Sequence, residues 1–88
     1  MAKHINIKIS GRVQGVGFRW SAYEKFVELG LTGRAENTPD WGVLIDVEGP
    51  EDKLAMLEEW CKQGPSGAKV ESVEVREAAG PFVALKNG

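Results

Sequence analysis

The apolar residues of this chain change their period early, across a run of glycines. Ile5, Ile7 and Ile9 alternate with His4, Asn6 and Lys8, the repeat of a strand with one buried face. Beyond Gly11-Arg12-Val13-Gln14-Gly15-Val16-Gly17 the repeat turns helical, with Phe18, Ala22, Phe26 and Leu29 on a stripe that Tyr23 and Val27 widen. Gly30 is a natural C-cap. A strand that enters a helix through glycines is tightly constrained. The glycines take up positive φ and let backbone approach a ligand, while the first N–H groups of the helix point at one spot. The positive end of the helix dipole then favours an anion there. Arg19 adds a planar, permanently charged fork suited to phosphate or carboxylate. A cation at a helix N-terminus opposes the dipole unless an anion lies between them, and that misfit also points to phosphate.

On shape alone, such a turn serves a phosphoryl site or plain chain reversal equally well. Three familiar phosphate motifs are excluded by position. A nucleotide P-loop ends in Gly-Lys-Ser/Thr, where this chain has Phe18-Arg19-Trp20. A dinucleotide fingerprint needs a third glycine where Trp20 stands. A phosphocysteine enzyme needs a cysteine where Val13 stands, so the loop holds no thiolate nucleophile.

The string Val13-Gln14-Gly15-Val16-Gly17-Phe18-Arg19 resembles the signature of the acylphosphatase family. That family's second motif, a Gly-aromatic-Val-x-Asn strand, answers to Gly33-Arg34-Ala35-Glu36-Asn37. In order and spacing the resemblance covers nearly the whole chain. Arg34 replaces the usual aromatic, Ala35 the usual valine, and Glu36 a residue that is often basic. Trp41-Gly42 occupies a hairpin turn that usually reads Asp-Gly-x. None of these departures touches Arg19 or Asn37.

The resemblance implies hydrolysis of the carboxyl–phosphate anhydride of small acyl phosphates, releasing carboxylate and inorganic phosphate. Inorganic phosphate would be both product and competitive inhibitor. It assigns phosphate binding to Gly15, Val16, Gly17, Phe18 and Arg19, and catalysis to Arg19 and Asn37. Asn37 follows Arg19 by eighteen residues. Its amide would position a water rather than act as a base, because an amide is not basic at neutral pH. The chemistry calls for no metal, no cofactor and no covalent intermediate. The alternative is a non-catalytic phosphate- or acyl-phosphate-binding module, like the acylphosphatase-like domains within larger maturation enzymes.

The remaining chain supplies a compatible frame. Leu31 to Asn37 reads as a second strand, Thr38-Pro39-Asp40-Trp41-Gly42 as a turn, and Val43, Ile45 and Val47 as a third strand antiparallel to the second. Gly49-Pro50-Glu51-Asp52 opens a helix with proline near N1 and acids in the first turn. Leu54, Leu57 and Cys61 share one face of that helix, flanked by Met56 and Trp60, and Gly64-Pro65 stops it. Val70, Val73 and Val75 form a fourth strand whose parity breaks once, which predicts a bulge near Glu71-Ser72. An optional short fifth strand spans Phe82 to Lys86. The order βαββαβ is that of an α+β, ferredoxin-like sandwich, an antiparallel sheet with two helices on one face. Fold alone does not give function.

Composition limits the rest. Eighty-eight residues suit a single domain spanning 1–88. The net charge of −2 offers no global field for nucleic acid. Residues 1–25 are locally positive, with Lys3, Lys8, Arg12, Arg19 and Lys25 against Glu24 alone. An RNA-binding domain of related fold would stack bases on aromatics of its central strands, and Ile5–Ile9 and Val43–Val47 contain none. No apolar run is long enough to span a membrane, and Met1-Ala2-Lys3-His4 lacks the apolar region of a signal peptide. With one cysteine, Cys61, an internal disulfide is excluded and these features predict a reducing cytoplasm. A monomer is expected, though nothing in the composition specifies it. His4 is expected in solvent on an edge-like strand, Cys61 as an inert buried thiol, and Trp20, Trp41 and Trp60 as packing residues. No His, Cys, Asp or Glu cluster has metal-ligand spacing.

Overall fold

The computed structural model describes residues 2–78. Its elements run β1 (Ala2–Arg12), α1 (Phe18–Leu29), β2 (Thr32–Asn37), β3 (Val43–Pro50), α2 (Glu51–Cys61) and β4 (Lys69–Glu77). The strands form one sheet in the order β2-β3-β1-β4, every adjacent pair antiparallel. This is the ferredoxin-like α+β arrangement. The optional strand over Phe82 to Lys86 lies outside the described residues.

Register follows from the apolar alternation. Ile5, Ile7 and Ile9 stand opposite Val47, Ile45 and Val43, and all six are buried on the face the helices cover. On the other side of β1 the pairing slips between Ser10 and Gly11. Ser10 opposes Ser72 while Gly11 opposes Val70, which leaves Glu71 as the extra residue of a bulge. The expected break of parity is therefore real, and it returns Val70 to the core side, where it packs with Val73. Gly11 is required opposite the bulge. Its φ is +129°, and a Cβ there would lie 2.2 Å from the carbonyl oxygen of Lys69.

Each helix lays a narrow stripe on the sheet. Phe18, Ala22 and Phe26 of α1 are buried, as are Leu54, Leu57 and Cys61 of α2. The two stripes meet through Phe18 and Trp60, whose ring centroids are 5.2 Å apart. The wider α1 stripe expected from Tyr23 and Val27 is corrected here: both are exposed, Val27 by 82%. Helix α1 lies against β2 and α2, and among the described residues no strand lies beyond β2 to cover that flank. The start of α2 also shifts by one position. Pro50 ends β3 with extended backbone (φ −62°, ψ 144°) and sits at the N-cap, and Glu51 and Asp52 fill the first turn. Likewise β2 begins at Thr32, leaving Leu31 buried just before it.

His4 is a further correction. The strand that carries it is central, between β3 and β4, so the histidine is not at an edge. Its side chain is only 10% exposed, and Nε2 is hydrogen-bonded to Oδ1 of Asp46 on the uncovered face of the sheet.

Candidate active site

The loop between β1 and α1 is pinned at both ends by apolar side chains. Val13 and Phe18 are buried, and Val16 packs partly buried against the same core. Between them Gly15 and Gly17 both take φ +77°. A Cβ at either would meet nothing within 4 Å, so the need for glycine is conformational rather than spatial. Gly17 is the N-cap of α1 and makes no side-chain cap. The first helical bond runs from the N–H of Ser21 to the carbonyl of Gly17 at 3.0 Å. The N–H groups of Phe18, Arg19 and Trp20 thus have no acceptor within the helix. No acidic residue occupies the first turn, so no carboxylate answers the dipole there.

Arg19 is exposed, and among the described residues no carboxylate lies within ion-pair distance of it. A cleft of about 190 Å³ opens beside it, lined by Val13, Gly15, Gly17, Phe18, Arg19, Trp20 and Asn37. Two residues singled out eighteen positions apart therefore share one cavity. The Val16 side chain turns to the core instead. Asn37 arrives as the last residue of β2, with the same parity as buried Ala35. Glu36 has the opposite parity. It joins Arg34 at 3.0 Å in a shallow hollow on the uncovered face, with Asn6, Leu44 and Asp46. A larger hollow on that face, about 360 Å³, is lined by Asn6, Lys8, Leu44, Glu74 and Arg76, side chains of mixed charge, and shares no residue with the cleft.

Three supports of the cleft were not singled out from the sequence. Tyr23, on α1, accepts the N–H of Ala35 at 3.1 Å and so ties the helix to β2 two residues before Asn37. Gln14 donates from Nε2 to the carbonyls of Thr38 and Gly42, both at 2.9 Å. Thr38 closes the turn that follows Asn37: its N–H reaches the carbonyl of Gly42 at 3.0 Å, and its Oγ1 accepts the N–H of Gly42 at 3.1 Å. Asp40 completes this turn, bonded to the Thr38 hydroxyl and to Lys8 at 2.7 Å. The Lys8 ammonium, then the Thr38 hydroxyl, hold its carboxyl down at about 2. The only available signal for Gln14 was its place inside the motif; Tyr23 was marked only by its place on the apolar stripe of the helix, not as a support of the site.

The tryptophans do not behave alike. Trp60 packs on Phe18, but Trp20 and Trp41 are 73% and 74% exposed, which corrects the expectation that all three pack. Trp20 lines the cleft. Trp41 is held at φ +71°, the only non-glycine residue at positive φ among those described. Cys61 is buried, and that burial pushes its thiol up to about 12, far from thiolate chemistry at neutral pH. Among the described residues no three His, Cys, Asp or Glu side chains gather as a metal site, and no helix is long and apolar enough to cross a membrane.

Comparison with known proteins gives a consistent result. A family model described as Acylphosphatase matches residues 5–82. An acylphosphatase of Thermus thermophilus is 52% identical over 68 residues, 77% of each chain. The structure of an acylphosphatase from Coxiella burnetii superposes with a TM-score of 0.88 at 35% identity, covering 94% of this chain and 87% of that one. Full-length HypF, solved in a phosphate- and nucleotide-bound form, matches with a TM-score of 0.82 at 31% identity. That match covers 99% of this chain but 11% of HypF.

Proposed function

This chain belongs to the acylphosphatase family, and from that premise we propose that it hydrolyses small acyl phosphates to carboxylate and inorganic phosphate by direct in-line attack of water. The observation that carries the reading is the meeting of Arg19 and Asn37 in one cleft at the start of α1. The N–H groups from Gly15 to Arg19 and the Arg19 guanidinium hold the phosphoryl oxygens. They stabilise the charge that spreads over those oxygens in the transition state. Donors fixed by backbone geometry need no reorganisation as that charge develops. Asn37 orients the attacking water through its amide, supplying position rather than basicity. The leaving carboxylate has a conjugate acid of pKa about 4, so no general acid is required. Neither a metal nor a covalent enzyme intermediate enters the scheme, and the whole of 1–88 acts as one domain.

The likeness to HypF favours a second reading, because there a domain of this fold is a small part of a much larger protein. In that reading the cleft binds phosphate or an acyl phosphate without turning it over. One assay separates the two: disappearance of benzoyl phosphate with purified protein, against its spontaneous hydrolysis. We expect acceleration, competitive inhibition by inorganic phosphate, and a loss of at least about a hundredfold in Arg19→Ala. Arg19→Lys does not restore the rate, since a point charge cannot copy a bidentate fork. Phosphate binding with no acceleration selects the second reading.

A further inference from the structure

We infer that Gln14 is a positioning residue that sets Asn37 against the phosphate loop; the inference rests on the function proposed above. The sheet order gives such a device a role, alongside the Tyr23 contact that ties α1 to β2. Strand β1 feeds the loop, whereas Asn37 ends β2, and β3 lies between them. Through the sheet, the water-orienting amide is therefore tied to the loop only by way of an intervening strand. Asn37 stands at the last rung of its ladder, opposite Val43, where strand pairing gives way to the turn.

Gln14 bypasses that route. It is flanked by Val13, which is buried, and Gly15, which lines the cleft. Its Nε2 spans to the carbonyls of Thr38 and Gly42 at 2.9 Å each, so both amide hydrogens are used. The orientation is chemically determined, since a flipped amide would set its oxygen against two carbonyl oxygens. The same two carbonyls already accept the turn's own N–H groups, Trp41 on Thr38 at 3.1 Å and Thr38 on Gly42 at 3.0 Å. Gln14 thus fills the second lone pair of each and fixes both sides of the turn's mouth. One end of this brace is one residue from Gly15 in the cleft, and the other is one residue from Asn37. The loop itself is anchored independently by Val13 and Phe18. Loss of the brace should therefore displace Asn37 and leave the phosphate cradle in place.

The test is Gln14→Met, which keeps the length of the side chain and removes both donors. With benzoyl phosphate as substrate we expect kcat to fall about tenfold or more, while the inhibition constant of inorganic phosphate stays within about threefold of the parent. In an Asn37→Ala background the same substitution should change kcat less than about threefold, because the group it positions is gone. An undiminished kcat in Gln14→Met overturns the inference. So does a loss of phosphate affinity that matches the loss of rate, or an effect equally large with Asn37 already removed. Should Gln14→Met fail to fold, Gln14→Asn, which withdraws the donors by one methylene, is read by the same three criteria. A parent protein that does not hydrolyse benzoyl phosphate overturns the functional reading and takes this inference with it.

Discussion

Replacing Trp41 with alanine and with glycine should reverse the usual ranking of those two residues. The loop Pro39-Asp40-Trp41 joins Thr38 to Gly42, with the N–H of Trp41 on the carbonyl of Thr38 at 3.1 Å and Trp41 at φ +71°. That is a three-residue hairpin connection whose last position is left-handed and favours glycine. A side chain in that conformation costs roughly 1–2 kcal/mol. Glycine escapes the cost but adds freedom to the unfolded chain worth about 0.4–1 kcal/mol. Trp41→Gly should therefore be more stable than Trp41→Ala by about 1 kcal/mol. In a domain of this size that separates the midpoints by about 4–8 °C. The parent also lies above Trp41→Ala. Trp41 is 74% exposed, and the quarter that is covered, about 60 Å² of a tryptophan, contributes at most about 1.5 kcal/mol. Urea unfolding of the three proteins, followed by far-ultraviolet circular dichroism, reads the order directly. If Trp41→Ala equals or exceeds Trp41→Gly, the strain assigned to this turn does not exist.

Three further outcomes are expected. Asn37→Ala should lower kcat about tenfold or more with phosphate inhibition nearly unchanged; equal losses in steady-state kinetics would make Asn37 a ligand contact. Glu36→Arg should change kcat/KM less than about fivefold at physiological salt, because Glu36 pairs with Arg34 on the opposite face from the cleft. A gain of about a hundredfold would place its side chain in the site. The Cys61 thiol is held protonated by burial, so the stability it contributes is complete below the unfolded thiol value of about 8.5 and is lost as pH rises toward about 12. Unfolding measured from pH 8 to 11 should show a shallower alkaline decline in Cys61→Ala than in the parent, and iodoacetamide should label Cys61 at pH 8 only after urea is added.

Much of the fold is legible in the chain because the signals are short-ranged. Side-chain alternation is a property of consecutive residues, so Ile5, Ile7, Ile9 and Val43, Ile45, Val47 declared which faces of β1 and β3 are buried. The broken parity of Val70, Val73 and Val75 marked a bulge near Glu71-Ser72 for the same reason, and the register places it at Glu71. The glycines and Arg19 marked the loop, because positive φ and a helix start are local demands. What the sequence left open depends on neighbours far away in the chain. Strand order put His4 in the middle of the sheet beside Asp46 rather than at an edge. The lie of α1 against β2 left Val27 in solvent, although its spacing fits the helical stripe. Only the assembled sheet carries Asn37 to the glycine loop, and only then can Gln14 bond carbonyls 24 and 28 residues away. Periodicity tells each residue which way to face; which strand lies alongside is decided by the packing of the whole core, where those distant contacts form together.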